Sequence, residues 1–288
     1  MNVFNLFKYY KPKYEGKDNL SFYSEKSIYF QKPVEFNDPW DCKAPHLKIS
    51  RDFNVLKNIW FNFPRNKIDP NLVKARWQEY RDKYSRAEIV ELLKKKFEDA
   101  FEKRRSEIGV FSLSFIPDSE LMWSHYASSH SGYMLHFQID IDQYCANSSL
   151  KNEFNLCPVI YRDKREVWDL ENYHIDGLRF AYGLTRIKSN AWACECELRL
   201  INQFKYGFFK IPSNWLKSIV IGIDIDGELR GKLKNIGNAL KIPVLSSVMN
   251  EKEYKIDIPG LKINGNDGRT CYKKVIESKR FELEPGSS

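Results

Sequence analysis

Hydrophobic positions follow two different periods along the chain, and the change of period divides it into three stretches. Residues 1–50 carry short β-type runs, among them Ser27-Ile28-Tyr29-Phe30. Between 52 and 107 the apolar residues recur every three or four positions, which predicts an all-helical segment. Beyond Gly109 the period returns to two. Strands and helices that follow one another without regular alternation predict an α+β fold with a helical insertion.

The helical segment shows both a buried stripe and a start signal. Trp77, Tyr80 and Tyr84 recur at steps of three and four, as residues on one helix face do. Ser85, with Glu88 three residues later, has the form of a capping box, so a further helix should begin there.

The second half of the chain is predicted to alternate irregularly between strands and helices. Asp118 or Ser119 should cap a short helix over Leu121–Ser128, and a longer helix should cover 227–240. The stretch Glu166–Ser189 is predicted as a helix followed by a loop. Strands are predicted at Val110–Phe115, Tyr133–Ile139, Val159–Arg162, Ala191–Ile201, Ser218–Ile223 and Val244–Val248, before an irregular tail.

Composition favours one folded domain over residues 1–288. Hydrophobic residues make up 42% and charged residues 29% of the chain, as in globular proteins. No run approaches the ~18 apolar residues that a membrane helix needs, and the start lacks the apolar stretch of a secretory signal. The six cysteines are dispersed without a CxxC pair. We therefore expect a cytoplasmic protein without membrane contact, with a disordered tail at 280–288.

The net charge of +8 is concentrated in the helical segment. Residues 51–106 hold 15 Lys and Arg against 9 Asp and Glu, an excess of six positive charges. Such charge can lie on a solvated helix face, or it can form a docking surface for nucleic acid or an acidic protein. In the second interpretation the contacts come from Lys94, Lys95, Lys96, Arg104 and Arg105.

The most informative run is Ala193–Leu200. Taken as a strand, it places Cys196 and Leu198 on one face and Glu195, Glu197 and Arg199 on the other. The polar face is either a solvent-facing Glu/Arg ladder or a catalytic surface. In the catalytic interpretation, adjacent like charges raise the pKa of one carboxylate, and Arg199 keeps the other ionised.

A histidine and two serines are weaker candidates for chemistry. His125 lies in the predicted short helix beside Tyr126, where a hydrogen-bonded core role and a catalytic role both stay open. Ser112 and Ser114 share one face of a predicted strand.

Several common chemistries lack their motifs. GxGxxG, GxxxxGK[ST], GxSxG and HExxH are absent. The inward alternation of Cys194 and Cys196 favours core thiols over metal ligands, so no metal is expected. A magnesium-dependent nuclease built on Glu195 and Glu197 stays a minor alternative, with Asp163 and Lys164 as its further residues.

Taken in order, the motifs resemble one family, the bacterial domain of unknown function 2971. The resemblance rests on residues between about 4 and 222. It is carried by Phe7-Lys8-Tyr9-Tyr10, Phe36-Asn37-Asp38-Pro39-Trp40-Asp41, Phe111-Ser112-Leu113-Ser114, Leu121-Met122-Trp123-Ser124-His125-Tyr126-Ala127, Gly132-Tyr133, and Trp192 before Glu195-Cys196-Glu197-Leu198-Arg199.

The layout is also similar to the ADP-ribosyltransferase fold, in which a split mixed or antiparallel sheet clamps NAD. That resemblance implies an NAD-consuming transferase or glycohydrolase, with Lys8 standing where the superfamily carries His or Arg. Glu197 would stabilise the oxocarbenium-like state, and Glu195 would position or deprotonate the acceptor. The implied NAD contacts are Lys8 to the pyrophosphate, Tyr9 or Tyr126 to nicotinamide, Ser112 and Ser114 to the ribose, and further contacts from His125 and Arg199.

Two broader expectations follow by analogy. A bacterial enzyme of this kind would act as a toxin or a phage-defence effector, with an antitoxin partner. The alternative is a non-catalytic protein that binds nucleic acid or an acidic partner through its basic helical segment. In that case the Glu/Arg run lies on the surface and has no functional role.

Overall fold

The computed structural model of the chain describes residues 3–24, 27–62, 69–170, 183–263 and 267–278. These residues form two compact units. The first consists of the described parts of Met1–Gln31, Gly109–Val159 and Ala191–Ser288, and the second of those of Lys32–Ile108 and Ile160–Asn190. The predicted disordered tail at 280–288 lies outside the described residues.

The strands, in chain order, are short apart from β1 and β7. They are β1 Val3–Tyr10, β2 Lys13–Tyr14, β3 Lys17–Asp18, β4 Ile28–Phe30, β5 His46–Lys48, β6 Gly109–Ser114, β7 Tyr133–Asp140, β8 Asn155–Pro158, β9 Ile160–Arg162, β10 Val167–Asp169, β11 Ile187–Ser189, β12 Glu197–Asn202, β13 Gly207–Phe209, β14 Leu216–Ile221, β15 Val244–Ser246, β16 Val248–Met249 and β17 Ile256–Asp257.

Helices cover most of residues 53–107 in the second unit, and the first unit contains further helices between and after its strands. They are α1 Ser21–Ser24, α2 Phe53–Asn62, α3 Pro70–Lys83, α4 Arg86–Glu107, α5 Glu120–Tyr126, α6 Ile141–Ala146, α7 Ser148–Glu153, α8 Gly227–Leu240 and α9 Gly268–Glu277.

A seven-stranded mixed sheet organises the first unit. Its strand order is β15-β14-β7-β1-β6-β12-β8, and every neighbouring pair is antiparallel except β14 with β15. Because side chains alternate along a strand, β1 contributes Leu6 to the larger core on one face and Phe7 and Tyr9 to a smaller core on the other. The predicted α+β class is confirmed.

The second unit packs three helices and short parallel strand pairs around its own core. Helix α4 buries Ile89, Leu93, Phe97 and Phe101, the stripe expected from the sequence. Both hydrogen bonds of the predicted Ser85–Glu88 capping box form. Strand β5 pairs with β10, and β9 pairs with β11.

Three sequence predictions are wrong in the described residues. The stretch Glu166–Ser189 opens with strand β10 rather than a helix and ends in strand β11 rather than a loop; residues 183–186 are helical, and 171–182 lie outside the described residues. The strand predicted at Ala191–Ile201 starts only at Glu197, because Asn190–Glu195 forms a 3-10 helix. The supposedly irregular tail contains α9, whose N-cap is Asp267.

A buried histidine of the large sheet contacts residues of both neighbouring strands. His136 of β7 stacks on Phe7 at 4.9 Å between ring centroids and lies within hydrogen-bond distance of Asn5 and Ser218. Burial, with a smaller contribution from Lys217, lowers the pKa of His136 from 6.5 to about 4. The imidazole is therefore neutral in the folded protein at pH 7.

We expect stability to fall between pH 6.5 and pH 4. In that window the unfolded chain protonates His136 and the folded chain does not, so protons favour unfolding by up to about 3 kcal/mol. Urea unfolding across this range should show a steeper loss for the wild type than for His136→Gln, which removes the titrating group. Parallel curves for the two proteins would contradict this account.

Candidate functional site

A buried ion pair lies on β12, next to the edge strand β8 of the large sheet. Arg199 of β12 donates from Nε to Glu197 Oε1 at 2.7 Å and from its second terminal nitrogen to Oε2 at 3.0 Å. Arg199 is 0% exposed and Glu197 4%. The alternative of a solvent-facing Glu/Arg ladder is therefore wrong, since strand β12 is buried on both faces.

The strand register places both members of the pair beside small polar residues of the neighbouring strand. Glu197 lies opposite Ser114 and Arg199 lies opposite Ser112, on strand β6. The Glu197 row continues through Phe7 to His136 on β7. Burying two charges is costly unless they are paired with good geometry, and the side-on double hydrogen bond supplies that pairing.

Glu195 does not share the strand with Glu197. Cys196 between them has a φ of +44°, a left-handed conformation that is uncommon for a residue with a side chain. The turn is fixed to β6, because the Ser114 hydroxyl donates to the Glu195 carbonyl at 2.6 Å and the Phe115 N–H donates to the Cys196 carbonyl. The period-two argument therefore fails at Cys196, and the two carboxylates have different surroundings.

The side chain of Glu195 instead meets helix α5. The Tyr126 hydroxyl donates to Glu195 Oε1 at 2.5 Å. The Ser119 side chain caps the helix, as predicted, and its last turn presents exposed His125 to half-buried Trp192, with the ring centroids 6.4 Å apart. Glu195 is only 3% exposed, so the part of this site that reaches the surface of the first unit is His125, with half-buried Tyr126 and Trp192.

Sequence reasoning gave Trp192 no chemical role. In the sequence it is only the tryptophan that precedes the Glu-Cys-Glu run. Its contact with His125 depends on the 3-10 helix that replaces the expected strand, and no periodic pattern in the sequence indicates that helix.

Two of the residues assigned to NAD are engaged in other contacts. Tyr9 is buried, donates its hydroxyl to the Ile116 carbonyl at 2.6 Å and packs edge-on against Trp123. Burial, with a smaller contribution from Asp118, raises the pKa of Tyr9 well above its ordinary value. The Lys8 side chain lies on the opposite face of β1 from Tyr9, with its ammonium 5.2 Å from the centre of the Phe111 ring.

The serines differ in their freedom to bind a ligand. Ser114 is buried and holds the Glu195 turn through its hydroxyl, which also accepts from the Ile116 N–H at 2.9 Å. Ser112 is half-buried and faces the same side as Arg199. Of the two, Ser114 is a structural residue of the turn.

The basic helical segment is only partly presented to solvent. Arg105 is 6% exposed and donates to Glu102 at 2.7 Å, so it is a packing residue. Lys94 pairs with Glu91, and Lys95 is exposed. The other two residues of the predicted docking surface, Lys96 and Arg104, are half-buried; burial and the nearby Arg76 lower the pKa of Lys96.

Residues 122–200 match the model of a family described as "Protein of unknown function (DUF2971)", which confirms the resemblance over that range. The match begins in α5 and ends in β12, so it contains Tyr126, Glu195 and Arg199. No curated protein and no solved structure matches the chain.

Two negative findings apply to the described part of the chain alone. Among those residues, His, Cys, Asp and Glu side chains do not gather in threes that could hold a metal ion. Within the same ranges, every helix is too short or too polar to cross a membrane.

The buried pair leads to a stability prediction. Arg199→Met leaves the Glu197 charge buried without the guanidinium that pairs with it, which should lower the free energy of unfolding by about 3 kcal/mol. Urea unfolding measures the loss. Lys232→Met removes an exposed ion pair with Asp18 and Glu228 and should change stability far less. Equal losses for the two variants would contradict a structural role for Arg199.

Proposed function

We propose that the chain cleaves the bond between nicotinamide and ribose in NAD, with Glu195 as the reacting carboxylate. The observation that carries the proposal is the hydrogen bond between half-buried Tyr126 and the buried Glu195 carboxylate, next along helix α5 to exposed His125, which contacts Trp192. A planar ring can stack on exposed aromatic groups, and a nearby carboxylate stabilises positive charge on the attached sugar.

The two carboxylates have separate roles in this proposal. Both Glu197 oxygens accept from Arg199 inside the sheet, so Glu197 has a structural role as the counter-charge of a buried guanidinium. The Tyr126 hydroxyl orients the Glu195 carboxylate from the other side. This assignment gives Glu195 both of the roles that the ADP-ribosyltransferase resemblance divided between the two residues, and leaves Glu197 a structural role.

The reaction needs no change in oxidation state. As the ribose C1′–N bond breaks, its electron pair passes to the ring nitrogen, and neutral nicotinamide leaves. The oxocarbenium-like ribose is stabilised by the Glu195 carboxylate. Water or an acceptor nucleophile then forms the new bond to C1′, and Glu195 takes the proton that the nucleophile loses.

The sheet supports an ADP-ribosyltransferase-like arrangement in part. Strands β1, β6 and β12 are adjacent, which is the order of the polar elements that the resemblance implies. Lys8 is not included as a pyrophosphate ligand, because it lies on the other face of the sheet from Glu197. In this proposal the chain binds the diphosphate through other groups.

Nicotinamide release from NAD by the purified protein tests the proposal. Glu195→Gln should reduce the rate by about 10²-fold or more, since the neutral amide neither stabilises the cation nor accepts a proton. Tyr126→Phe should reduce it by about tenfold, because the carboxylate loses one charge-assisted hydrogen bond. Glu251→Gln, an exposed carboxylate of the same unit, serves as the matched control and should keep full activity.

Acceptors are surveyed in the same assay by adding RNA, DNA or protein extract. Release that persists in Glu195→Gln would contradict the assignment of that residue. An absence of release and of any NAD-dependent thermal shift, with every acceptor present, would overturn the proposed reaction.

A further inference from the structure

The turn at Phe36–Asp41 displays a tryptophan on the surface of the second unit. Trp40 is 62% exposed, an unusual position for the largest apolar side chain. The backbone N–H of Trp40 donates to Asp38 Oδ1 at 2.9 Å, and the backbone N–H of Asp41 donates to the Asp38 carbonyl. The turn is therefore fixed by a buried carboxylate, and it directs Trp40 outward.

A second buried carboxylate anchors the far side of the turn. Asp41 lies 3.5 Å from the ammonium of Lys188 on β11, and both side chains are almost fully buried. Cys42 follows with a φ of +54° and directs its thiol to Asp41 Oδ1. Burying charges and holding a non-glycine residue at positive φ both cost folding free energy. Both features occur here, where they fix the conformation of the turn.

A cavity of about 250 Å³ adjoins Trp40. Its walls come from the turn, from the loop between β9 and β10, and from β11. The lining holds five cations against two carboxylates, and one of the carboxylates, Glu166, accepts from the Trp168 indole N–H at 2.9 Å. The cations are Lys43, Arg162, Lys164, Arg165 and Lys188.

Contacts on one side of the Trp40 ring fix its position. The Arg165 guanidinium lies 5.2 Å from the ring centre, a cation–π distance, and Arg165 also donates to the Ala44 carbonyl. These two contacts fix the ring on one side, and its high exposure leaves apolar area open to a ligand.

We propose that this cavity binds a nucleoside phosphate, with the base stacked on Trp40 and the phosphate held by Arg162 and Lys164. An aromatic platform beside cations is the combination that recognises such a unit. The volume is close to the lower end of ligand pockets, roughly 300–1,000 Å³, and so suits one nucleotide rather than a dinucleotide. The ligand is either a free nucleotide or the phosphorylated end of an RNA strand.

Isothermal titration calorimetry of the purified protein with AMP and ADP tests the proposal. Adenosine and inorganic phosphate each carry half of the recognised chemistry, and each should bind at least about tenfold more weakly than AMP. Trp40→Ala should weaken AMP binding about tenfold or more, as loss of base stacking does. The double variant Arg162→Gln, Lys164→Gln should do the same and should reduce the salt dependence.

Matched controls separate the cavity from general surface effects. Tyr254→Ala removes a fully exposed aromatic ring from the other unit, and Lys95→Gln with Lys103→Gln removes two exposed lysines from α4. Both controls should bind AMP as the wild type does. Thermal melting verifies that each variant is folded.

The source of the ligand is tested with a 5′-phosphorylated RNA oligonucleotide. Binding that AMP displaces identifies an RNA end, and AMP binding without RNA binding identifies a free nucleotide. Either result supports the site. The proposal is overturned if AMP and ADP fail to bind at millimolar concentration, if adenosine binds as tightly as AMP, or if folded Trp40→Ala binds AMP unchanged.

Discussion

The side-on pairing of Arg199 with Glu197 is the constraint on which the candidate site depends. Both charges lie inside the sheet, where a single unpaired charge would be severely destabilising. The pairing of the two charges allows β12 to be buried on both faces, and antiparallel pairing with β6 fixes the start of the strand. The Cys196 turn begins from that fixed strand and places the Glu195 carboxylate against Tyr126.

The two units carry different chemistry. In the first, the buried Glu195 carboxylate accepts from Tyr126, and our proposal uses it to stabilise a cationic sugar. The second presents an exposed indole beside several cations, which suits a nucleoside phosphate. In both, buried charged groups hold the exposed elements in place: Arg199 with Glu197 in one, and Asp41 with Lys188 in the other. Substitution of these buried groups should act first on folding and only then on binding or reaction.

Much of this structure follows from sequence pattern. The α+β class, the capping box at Ser85 and the stripe of α4 are local properties, and they are found as predicted. The strand at Ala191–Ile201 was wrong because periodicity assumes a uniform backbone, and one left-handed residue, Cys196, ends that uniformity. Burial of Arg199 could not be derived either, because a Glu/Arg alternation has the same pattern in a solvated ladder and in a buried pair.

Urea unfolding of Glu195→Gln and Glu197→Gln, side by side, tests most directly whether the two carboxylates have separate roles. Glu197→Gln should lose about 3 kcal/mol, because the Arg199 charge is left buried without its counter-charge. Glu195→Gln keeps an oxygen for the Tyr126 hydroxyl and should lose less than about 1 kcal/mol. Equal losses, or a larger loss for Glu195→Gln, would contradict the account.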